Sequence, residues 1–446
     1  MNHLAADLTV AGFSVTRVSA NATTDLSAYH AANMIVVGSA GAEAASMASA
    51  LSGTNRNRVK TVTNGEGFVT YIVGTNQTAT AGNETYELND NATVNAIQRF
   101  YSQIVVNGEF VKPVTSDTTL VSTGSNRDPG ILYHNGVYYY CENQSGNFRY
   151  GMYTSTDRLN WTQTTPAFDP KTNTVNTSYF NGCTTQAELD AANAIRAARG
   201  EGAVGNAQYW APEIHAYNGA FYLFGTYLDK DTGYRGTAIF KSDTPDGPYI
   251  PWSNGFVTPN GRHSIDGTLY VDANGTPYMV YVDEWPNYGS TLSHATNTAK
   301  GRMAWVQLSA DLSTTVGTHH TDMFKSSDPA WTDYGVTDGP WLYTCEDGTL
   351  LMIWSNYDAN HNYAIGLAKS SNGRLDGTWT QVGTEALFAQ TGDNIYCVQD
   401  GGHACIIEAD GRLYLVLHST NSGRSQYVTW IPLVERNGSL YLDLIH

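Results

Sequence analysis

Three aspartates, Asp128, Asp266 and Asp338, stand at the openings of segments that are otherwise apolar and aromatic. The stretch DGPWLYTCEDGTLLMIWSNY, which begins at Asp338, shows the pattern plainly. Carboxyl groups that lie close together raise one another's pKa values, so that one holds a proton while another stays ionised. Such a pair supplies the general acid and the general base that hydrolysis of a glycosidic bond requires. The three segments are far apart in the sequence, so this chemistry depends on a fold that brings their openings together.

Five segments can be laid over one another, and each has an apolar strand, an Asn-Gly or Asp-Gly turn and a second strand rich in Tyr and Leu. The segments are DPGILYHNGVYYYCEN from Asp128, APEIHAYNGAFYLFGTY from Ala211, DGTLYVDANGTPYMVYVDE from Asp266, GPWLYTCEDGTLLMIWSNY from Gly339 and GHACIIEADGRLYLVLHST from Gly402. Their turn glycines are Gly136, Gly219, Gly275, Gly348 and Gly411. Because this turn is the strongest short-range signal for a hairpin, the sequence predicts five equivalent hairpins.

Repetition on this scale is typical of an array of equivalent structural units. A lone hairpin cannot bury both of its faces, whereas four-stranded blades packed around a channel can. We therefore predict an all-β fold, a five-bladed β-propeller over residues 115–446, with an irregular β-sandwich as the alternative. The residue that opens each inner strand of a propeller points at the channel, so the three aspartates are expected to converge there.

Residues 1–110 differ from the repeats and predict a small α/β accessory segment, with too few strands for a complete doubly wound domain. FSVTRVSA and NMIVVGSA are typical of strands, whereas AEAASMASALSG and TVNAIQRFYSQIV are typical of helices. An insertion at about 166–206 separates the first two repeats, and its TQAELDAANAIRAARG predicts a helix that ends at Gly200. Such an insertion is expected on a face of the propeller, where it shapes a cleft.

Net charge, apolar runs, the N-terminal stretch and the cysteines indicate which binding partners and which cellular location to expect. The formal net charge is -17, which disfavours nucleic acid, and no run of about 18 apolar residues indicates a membrane span. The start MNHLAADLTVAGFSVTRV lacks the organisation of a signal peptide, so we expect a cytoplasmic protein or a start downstream of the true one. The five cysteines form no CxxC pair, which predicts mostly free, buried thiols, although Cys397 and Cys405 could pair.

Residues 115–446 resemble glycoside hydrolase family 43, the five-bladed propeller glycosidases of the arabinanase, arabinofuranosidase and xylosidase type. The resemblance rests on an ordered set of five motifs, none of which lies in residues 1–110. The motifs are RDPGILYHNGVYYY (127–140), WAPEIHAYNGAFYLF (210–224), SIDGTLYVDANGTPYMVY (264–281), TDGPWLY (337–343) and GGHACII (401–407). The family implies an inverting enzyme that cleaves arabinofuranosides or xylosides of plant-type polysaccharides or oligosaccharides.

The resemblance also implies roles for the three aspartates. Asp128 matches the general base that activates water, and Asp266 matches the aspartate that orients the acid and tunes its pKa. Asp338 matches the position of the general acid, where the family usually has Glu, one methylene longer. Glu284, in VDEW at the end of the third repeat, is the alternative acid, and Asp338 is preferred to it. The structural alternative is that each aspartate serves only as a turn residue.

Other motif residues are candidates for binding sugar or metal. Glu213 either hydrogen-bonds a sugar hydroxyl or holds a neighbouring strand, and one of Trp210, Trp285 and Trp341 is expected to stack on a sugar ring. No cofactor is implied as required. His403 matches a family histidine beneath the active site, which implies a structural Ca²⁺ near it, held chiefly by water oxygens.

Three alternatives to an arabinofuranosidase or xylosidase remain. One is a galactoside-acting member of the same family. A sugar-binding propeller without hydrolytic activity would keep the aromatic residues and tolerate Asp at position 338. A fructan-acting enzyme of the same clan would need a motif like WMNDPNG near the start of the propeller. This alternative is discounted, because NRDPG (126–130) matches the motif only in part.

Overall fold

The structure is a computed structural model of the chain. It describes residues 127–156, 158, 161–288, 301–332, 334–389, 400–409, 411–419 and 427–442, together with short pieces of residues 14–110. No helix in these described parts is both long enough and apolar enough to cross a membrane. The described residues thus cover most of the range from 127 to 442.

The described pieces of residues 14–110 are mostly strands. They are β1 (Met34–Val37), β2 (Asn57–Asn64), β3 (Gly67–Gly74), β4 (Thr78–Ala81), β5 (Glu84–Glu87), β6 (Val105–Val106) and β7 (Glu109–Phe110). β1 pairs in parallel with β3, and β3 pairs antiparallel with β2, in a three-stranded sheet. Of the elements expected here, NMIVVGSA contains β1, the described residues 14–18 of FSVTRVSA are not a strand, and nearly all of TVNAIQRFYSQIV lies outside the described residues.

Five four-stranded antiparallel sheets follow, each built from consecutive strands. Blade 1 contains β8 (Gly130–His134), β9 (Val137–Gln144), β10 (Arg149–Ser155) and β11 (Thr162–Gln163). Blade 2 contains β12 (Trp210–Tyr217), β13 (Ala220–Leu228), β14 (Arg235–Ser242) and β15 (Ile250–Pro251). Blade 3 contains β16 (Ser264–Val271), β17 (Pro277–Asp283), β18 (Arg302–Leu308) and β19 (Thr315–Lys325). Blade 4 contains β20 (Asp338–Thr344), β21 (Leu350–Tyr357), β22 (Tyr363–Ser370) and β23 (Trp379–Gln381). Blade 5 contains β24 (Gly401–Ala409), β25 (Arg412–Ser419), β26 (Tyr427–Glu435) and β27 (Leu440–Leu442).

The first strand of each blade contacts the first strand of the next, and β24 of blade 5 contacts β8 of blade 1. The five inner strands therefore close into a ring around a channel. This arrangement is the predicted five-bladed β-propeller, and the β-sandwich alternative is wrong because the sheets do not stack in two layers.

Five apolar cores lie between the five neighbouring pairs of blades. Side chains of a strand alternate between its two faces, so each inner hairpin serves two cores. In β13, Tyr222 and Phe224 pack toward blade 3, whereas Phe221 and Leu223 pack toward blade 1. Because both faces of these strands are buried, the second strands are nearly continuous runs of Tyr, Leu and Phe.

The turns and the insertion have the predicted local chemistry. All five turn glycines have left-handed backbone angles, with φ between 71° and 83°. The insertion contains α1 (Gln186–Ala198), whose N-cap is Thr185 and which is followed by Gly200 at φ +80°. Leu189 and Ala192 of α1 are buried in the core between blades 1 and 2. The four described cysteines, Cys141, Cys183, Cys345 and Cys405, are buried free thiols, and Cys397 lies outside the described residues.

Each inner strand bends near its first residues at a left-handed residue. These residues are Asp128 (φ 50°), Ala211 (φ 41°), Asp266 (φ 55°), Gly339 (φ 49°) and His403 (φ 47°). A left-handed non-glycine residue costs on the order of 1–3 kcal/mol, so its recurrence in four of the five blades shows that the surrounding contacts enforce it. In blades 2 to 5 the strand register shifts at the same place. Gly402, taken from the sequence as the opening of blade 5, is thus one residue too early, because the bend falls on His403.

The inner strands of blades 1 and 2 approach closely at Gly130. A Cβ at this position would lie 2.4 Å from the carbonyl oxygen of Pro212 and 2.9 Å from the Cα of Glu213. Both neighbours are backbone atoms and cannot rotate away. The glycine is therefore required by the packing of two blades.

We predict that Gly130→Ala lowers the free energy of unfolding by roughly 1–3 kcal/mol, because the two inner strands must separate to admit the methyl group. Equilibrium denaturation in urea measures the loss. Gly146→Ala is the matched control, since a Cβ there has no atom within 4 Å and the residue is exposed. Equal stability of Gly130→Ala and Gly146→Ala would contradict this reading of the interface.

Candidate active site

His403 joins the carboxyl groups of two other blades at the channel. Its Nδ1 lies 3.4 Å from Oδ1 of Asp128 and 3.8 Å from Oδ2 of Asp266. Blade 4 has room for the imidazole because position 339 is glycine. A Cβ there would lie 2.8 Å from Cγ of His403. Burial works to lower the pKa of His403, but Asp128, Asp266 and Asp338 raise it above its usual value. The imidazole therefore acts as the positive partner of the carboxyl groups.

Asp128 lies in a setting that keeps it ionised. Asn143 Nδ2 donates to its Oδ2 at 3.1 Å, and the guanidinium of Arg127 approaches the same oxygen at 3.5 Å. Its backbone N–H donates to Nδ1 of His418 at 3.2 Å. Burial alone would raise the pKa of Asp128, but His403, Arg127 and the Asn143 amide hold it below its usual value. A buried carboxylate with these partners is suited to accept a proton.

Asp266 is 4% exposed and has the opposite electrostatic setting. Its backbone N–H donates to Oγ1 of Thr226 at 3.0 Å, and its Oδ2 accepts the N–H of Gly339 at 3.2 Å. Burial raises the pKa of Asp266 to about 8, with further contributions from Asp338 and Asp128 and opposition from His403. Asp266 thus fixes the peptide that follows Asp338.

Asp338 is the most exposed of the three aspartates and lies at the start of β20. Its Oδ2 accepts a hydrogen bond from the hydroxyl of Tyr363 at 2.9 Å. Burial raises the pKa of Asp338 to about 6, helped by Glu284 and Asp128 and opposed by His403 and the Tyr363 hydroxyl. Together the carboxyl groups of Asp266 and Asp338 retain a proton near neutral pH.

Glu284 follows β17 and lies at the same end of blade 3 as Asp266, because its N–H donates to the carbonyl of His263 next to the start of β16. Both of its oxygens are bound by Arg235, from Nε at 2.7 Å and from Nη2 at 3.0 Å. Burial raises the pKa of Glu284 although Arg235 opposes this. The second strand of the hairpin returns to the end where the first begins, which brings Glu284 beside the start of β16.

The three candidate tryptophans occupy two different levels. Trp210, under the guanidinium of Arg235 at 5.4 Å, and Trp285, in a short 3₁₀ helix (Trp285–Tyr288), are partly exposed at the carboxylate end. Trp341 instead stacks on His215, with ring centroids 5.4 Å apart and an angle of 26°.

Glu213 is 5% exposed and lies at the deeper level with Trp341. Its Oε2 is 3.0 Å from Nε2 of His215, the residue on which Trp341 stacks. These three side chains come from the inner strands of blades 2 and 4, so they pack the channel beyond the carboxyl groups. Of the three candidate tryptophans, Trp210 and Trp285 lie at the end where the inner strands begin.

The insertion reaches this end of the propeller through Glu201. The carboxylate of Glu201 pairs with Arg196 of α1 at 3.0 Å and lies 3.1 Å from Nε2 of His263. Nδ1 of His263 accepts the backbone N–H of Arg235 at 3.3 Å, so Nε2 carries the proton and donates it to Glu201. Burial, with help from Arg235, lowers the pKa of His263 to about 3, which keeps it neutral.

Sequence reasoning missed Asn143, Arg235, Tyr363 and His418. A signal for two of them was present, since polar residues end second strands that are otherwise apolar, as in YYYCEN (138–143) and LVLHS (415–419). In an antiparallel hairpin the end of the second strand lies beside the start of the first. Arg235 and Tyr363 open third strands, and no repeat motif marks them.

The expected calcium site near His403 rests on few protein ligands. In the described part of the chain, no group of three or more His, Cys, Asp or Glu side chains is arranged to hold a metal ion. Nδ1 of His403 faces two carboxylates. A Ca²⁺ ion near His403, coordinated chiefly by water, stays a prediction.

Comparisons with known proteins agree with this architecture. The family described as glycosyl hydrolases family 43 matches residues 187–431. The crystal structure of an endo-arabinase from Bacteroides thetaiotaomicron VPI-5482 is 30% identical, with a TM-score of 0.56, and the match covers 71% of this chain and 97% of that chain.

Two curated relatives, both from Humicola insolens, match over shorter stretches. Xylosidase/arabinosidase 43A is 35% identical over 79 residues, which are 18% of this chain and 23% of the relative. Alpha-L-arabinofuranosidase 43 is 27% identical over 169 residues, which are 37% of this chain and 32% of the relative. The matches thus span about a quarter and a third of these two relatives. The family match over more than half of the chain, together with the endo-arabinase structure matched over nearly its full length, shows that this protein belongs to glycosyl hydrolases family 43.

Proposed function

We propose that the protein is an inverting glycoside hydrolase that cleaves arabinofuranosides or xylosides of plant-type polysaccharides or oligosaccharides. The observation that carries the proposal is the opposite environment of two carboxyl groups at one end of the channel. The pKa of Asp128 is held below its usual value, whereas that of Asp338 is raised to about 6. Environments that push two pKa values apart assign one group as base and the other as acid.

In the proposed reaction, Asp128 takes a proton from a water molecule as the water oxygen attacks the anomeric carbon. The glycosidic C–O bond breaks in the same step, and the leaving oxygen takes the proton of Asp338. The sugar is released with inverted configuration, and the two carboxyl groups have exchanged their protonation states. Transfer of a proton from Asp128 to Asp338 through solvent then restores the enzyme.

Asp266 is the positioning residue in this proposal. Its Oδ2 holds the N–H of Gly339, which fixes the backbone beside Asp338. His403 supplies positive charge to the cluster and keeps Asp128 ionised.

The choice of pentosides is supported by the relatives, which are named as an endo-arabinase, a xylosidase/arabinosidase and an arabinofuranosidase. We expect hydrolysis of nitrophenyl α-L-arabinofuranoside or nitrophenyl β-D-xyloside, with nitrophenyl β-D-galactoside as the comparison. Arabinan and arabinoxylan test the polymeric substrates. ¹H NMR of the first-formed sugar should show the anomer opposite to that of the substrate. Binding of these polysaccharides without hydrolysis of any substrate would instead favour a sugar-binding propeller.

The identity of the general acid can be tested by comparing substrates whose leaving groups differ in their need for a proton. Asp338→Ala should slow hydrolysis of natural glycosides by roughly 10²–10⁴-fold, because their leaving oxygen needs a proton. Hydrolysis of a dinitrophenyl glycoside should fall far less, since that group departs unprotonated. Asp128→Ala should damage both reactions, because water activation is needed in each. The measurement is kcat/KM for the two substrate types.

Asp338→Glu is the matched control, since it keeps a carboxyl group and restores the side chain usual in the family. It should retain far more activity on natural glycosides than Asp338→Ala. If Glu284→Ala shows the leaving-group effect and Asp338→Ala does not, Glu284 is the acid and the assignment is reversed.

The pH profile gives a second test. Asp128 is ionised across the working range, whereas Asp338, with its pKa of about 6, is protonated only on the acid side of that value. We therefore expect kcat/KM to stay level below about pH 6 and to fall about tenfold per pH unit above it. Asp338→Ala should abolish this fall on a dinitrophenyl glycoside. An unchanged fall in that variant would mean that another group ends the activity.

A further inference from the structure

Tyr363 lies between blades 4 and 5 and touches the proposed acid. It opens β22, is 2% exposed, and its hydroxyl donates to Oδ2 of Asp338 at 2.9 Å. Its ring stacks on His418, with centroids 5.6 Å apart and an angle of 21°. His418 in turn accepts the backbone N–H of Asp128. One buried ring thus packs between the residue that holds the proposed base and the carboxyl group of the proposed acid.

The two blades are shaped to hold this ring in place. A Cβ on Gly402 would lie 2.5 Å from Cδ1 and from Cε1 of Tyr363, so blade 5 accepts the ring only because position 402 is glycine. The backbone N–H of Tyr363 donates to Oδ2 of Asp400 at 3.2 Å, which anchors the start of β22 to blade 5. The ring therefore has one position, and its hydroxyl is a fixed donor.

The hydrogen bond from the Tyr363 hydroxyl distinguishes the two carboxyl oxygens of Asp338. With Oδ2 bound by the phenol, proton transfer is left to Oδ1. The hydrogen bond also strengthens as Asp338 becomes negatively charged, which stabilises the transition state for proton transfer more than the ground state.

We propose that Tyr363 is a positioning residue for catalysis, which aims the carboxyl group of Asp338 and stabilises the carboxylate left after proton transfer. The inference rests on the proposed function of Asp338 as the acid. Because Tyr363 is buried, it acts through Asp338 and not through contact with substrate. The other charged or titratable groups that face Asp338 are Arg127, Asp128, Asp266, Glu284 and His403.

The test compares Tyr363→Phe with Tyr249→Phe. Tyr249 is an equally buried tyrosine, 1% exposed, whose hydroxyl donates to the carbonyl of Pro245 at 2.9 Å, in blade 2. In Tyr363→Phe the alkaline fall of kcat/KM should move to higher pH by about one unit, because an ionised carboxylate loses a donor. Hydrolysis of natural glycosides should drop roughly tenfold at the optimum, and that of a dinitrophenyl glycoside much less. Tyr249→Phe should change neither.

The inference would be overturned if the alkaline fall of kcat/KM stayed at the same pH in folded Tyr363→Phe. It would also be overturned if Tyr249→Phe shifted that fall by the same amount. A measurement that needs no catalysis separates failure of this inference from failure of the proposed function. The side-chain carboxyl of Asp338, identified in ¹³C NMR of aspartate-labelled protein by its absence in Asp338→Asn, should titrate about one pH unit higher in Tyr363→Phe. An unmoved titration disproves the contact, whereas a moved titration in a protein that hydrolyses nothing disproves only the proposed reaction.

Discussion

The structure depends on one repeated hydrogen bond, in which the N–H of the left-handed residue of an inner strand is accepted by the preceding blade. Four of the five bends are held in this way, by His418 on Asp128, Thr226 on Asp266, Asp266 on Gly339 and Ser355 on His403. A buried N–H left without an acceptor costs about 1–3 kcal/mol, comparable to the strain of each bend. In these four cases the preceding blade thus sets the backbone of the next.

The same bends bring the acidic groups together, and His403 offsets the cost. Asp128 and Asp266 come from different blades and share one imidazole, so the charge repulsion between them is partly neutralised. The remaining repulsion and burial fall on Asp266 and Asp338, whose pKa values are raised to about 8 and about 6. The scaffold therefore gives three aspartates of the same chemical type different pKa values.

Around this centre, the insertion and blades 2 and 3 add a second set of charged residues that does not belong to the repeat. Glu201 links α1 to His263, and His263 accepts the N–H of Arg235. Arg235 in turn occupies both oxygens of Glu284 and lies over Trp210. The insertion is thus tied to the wall of the site on the side of blades 2 and 3, the side that also carries Trp285.

The sequence by itself determined the five hairpins, their turn glycines, the helix ended by Gly200 and the placement of Asp128 and Asp266 at inner-strand openings. These features follow from local chemistry, since turn type and two-residue alternation depend on neighbours along the chain. Only the tertiary structure decided that His403 and not Gly402 forms the fifth bend, and that Glu284 returns to the site. Such choices depend on contacts between blades, as between Asp128 and His418, 290 residues apart, which no local pattern encodes.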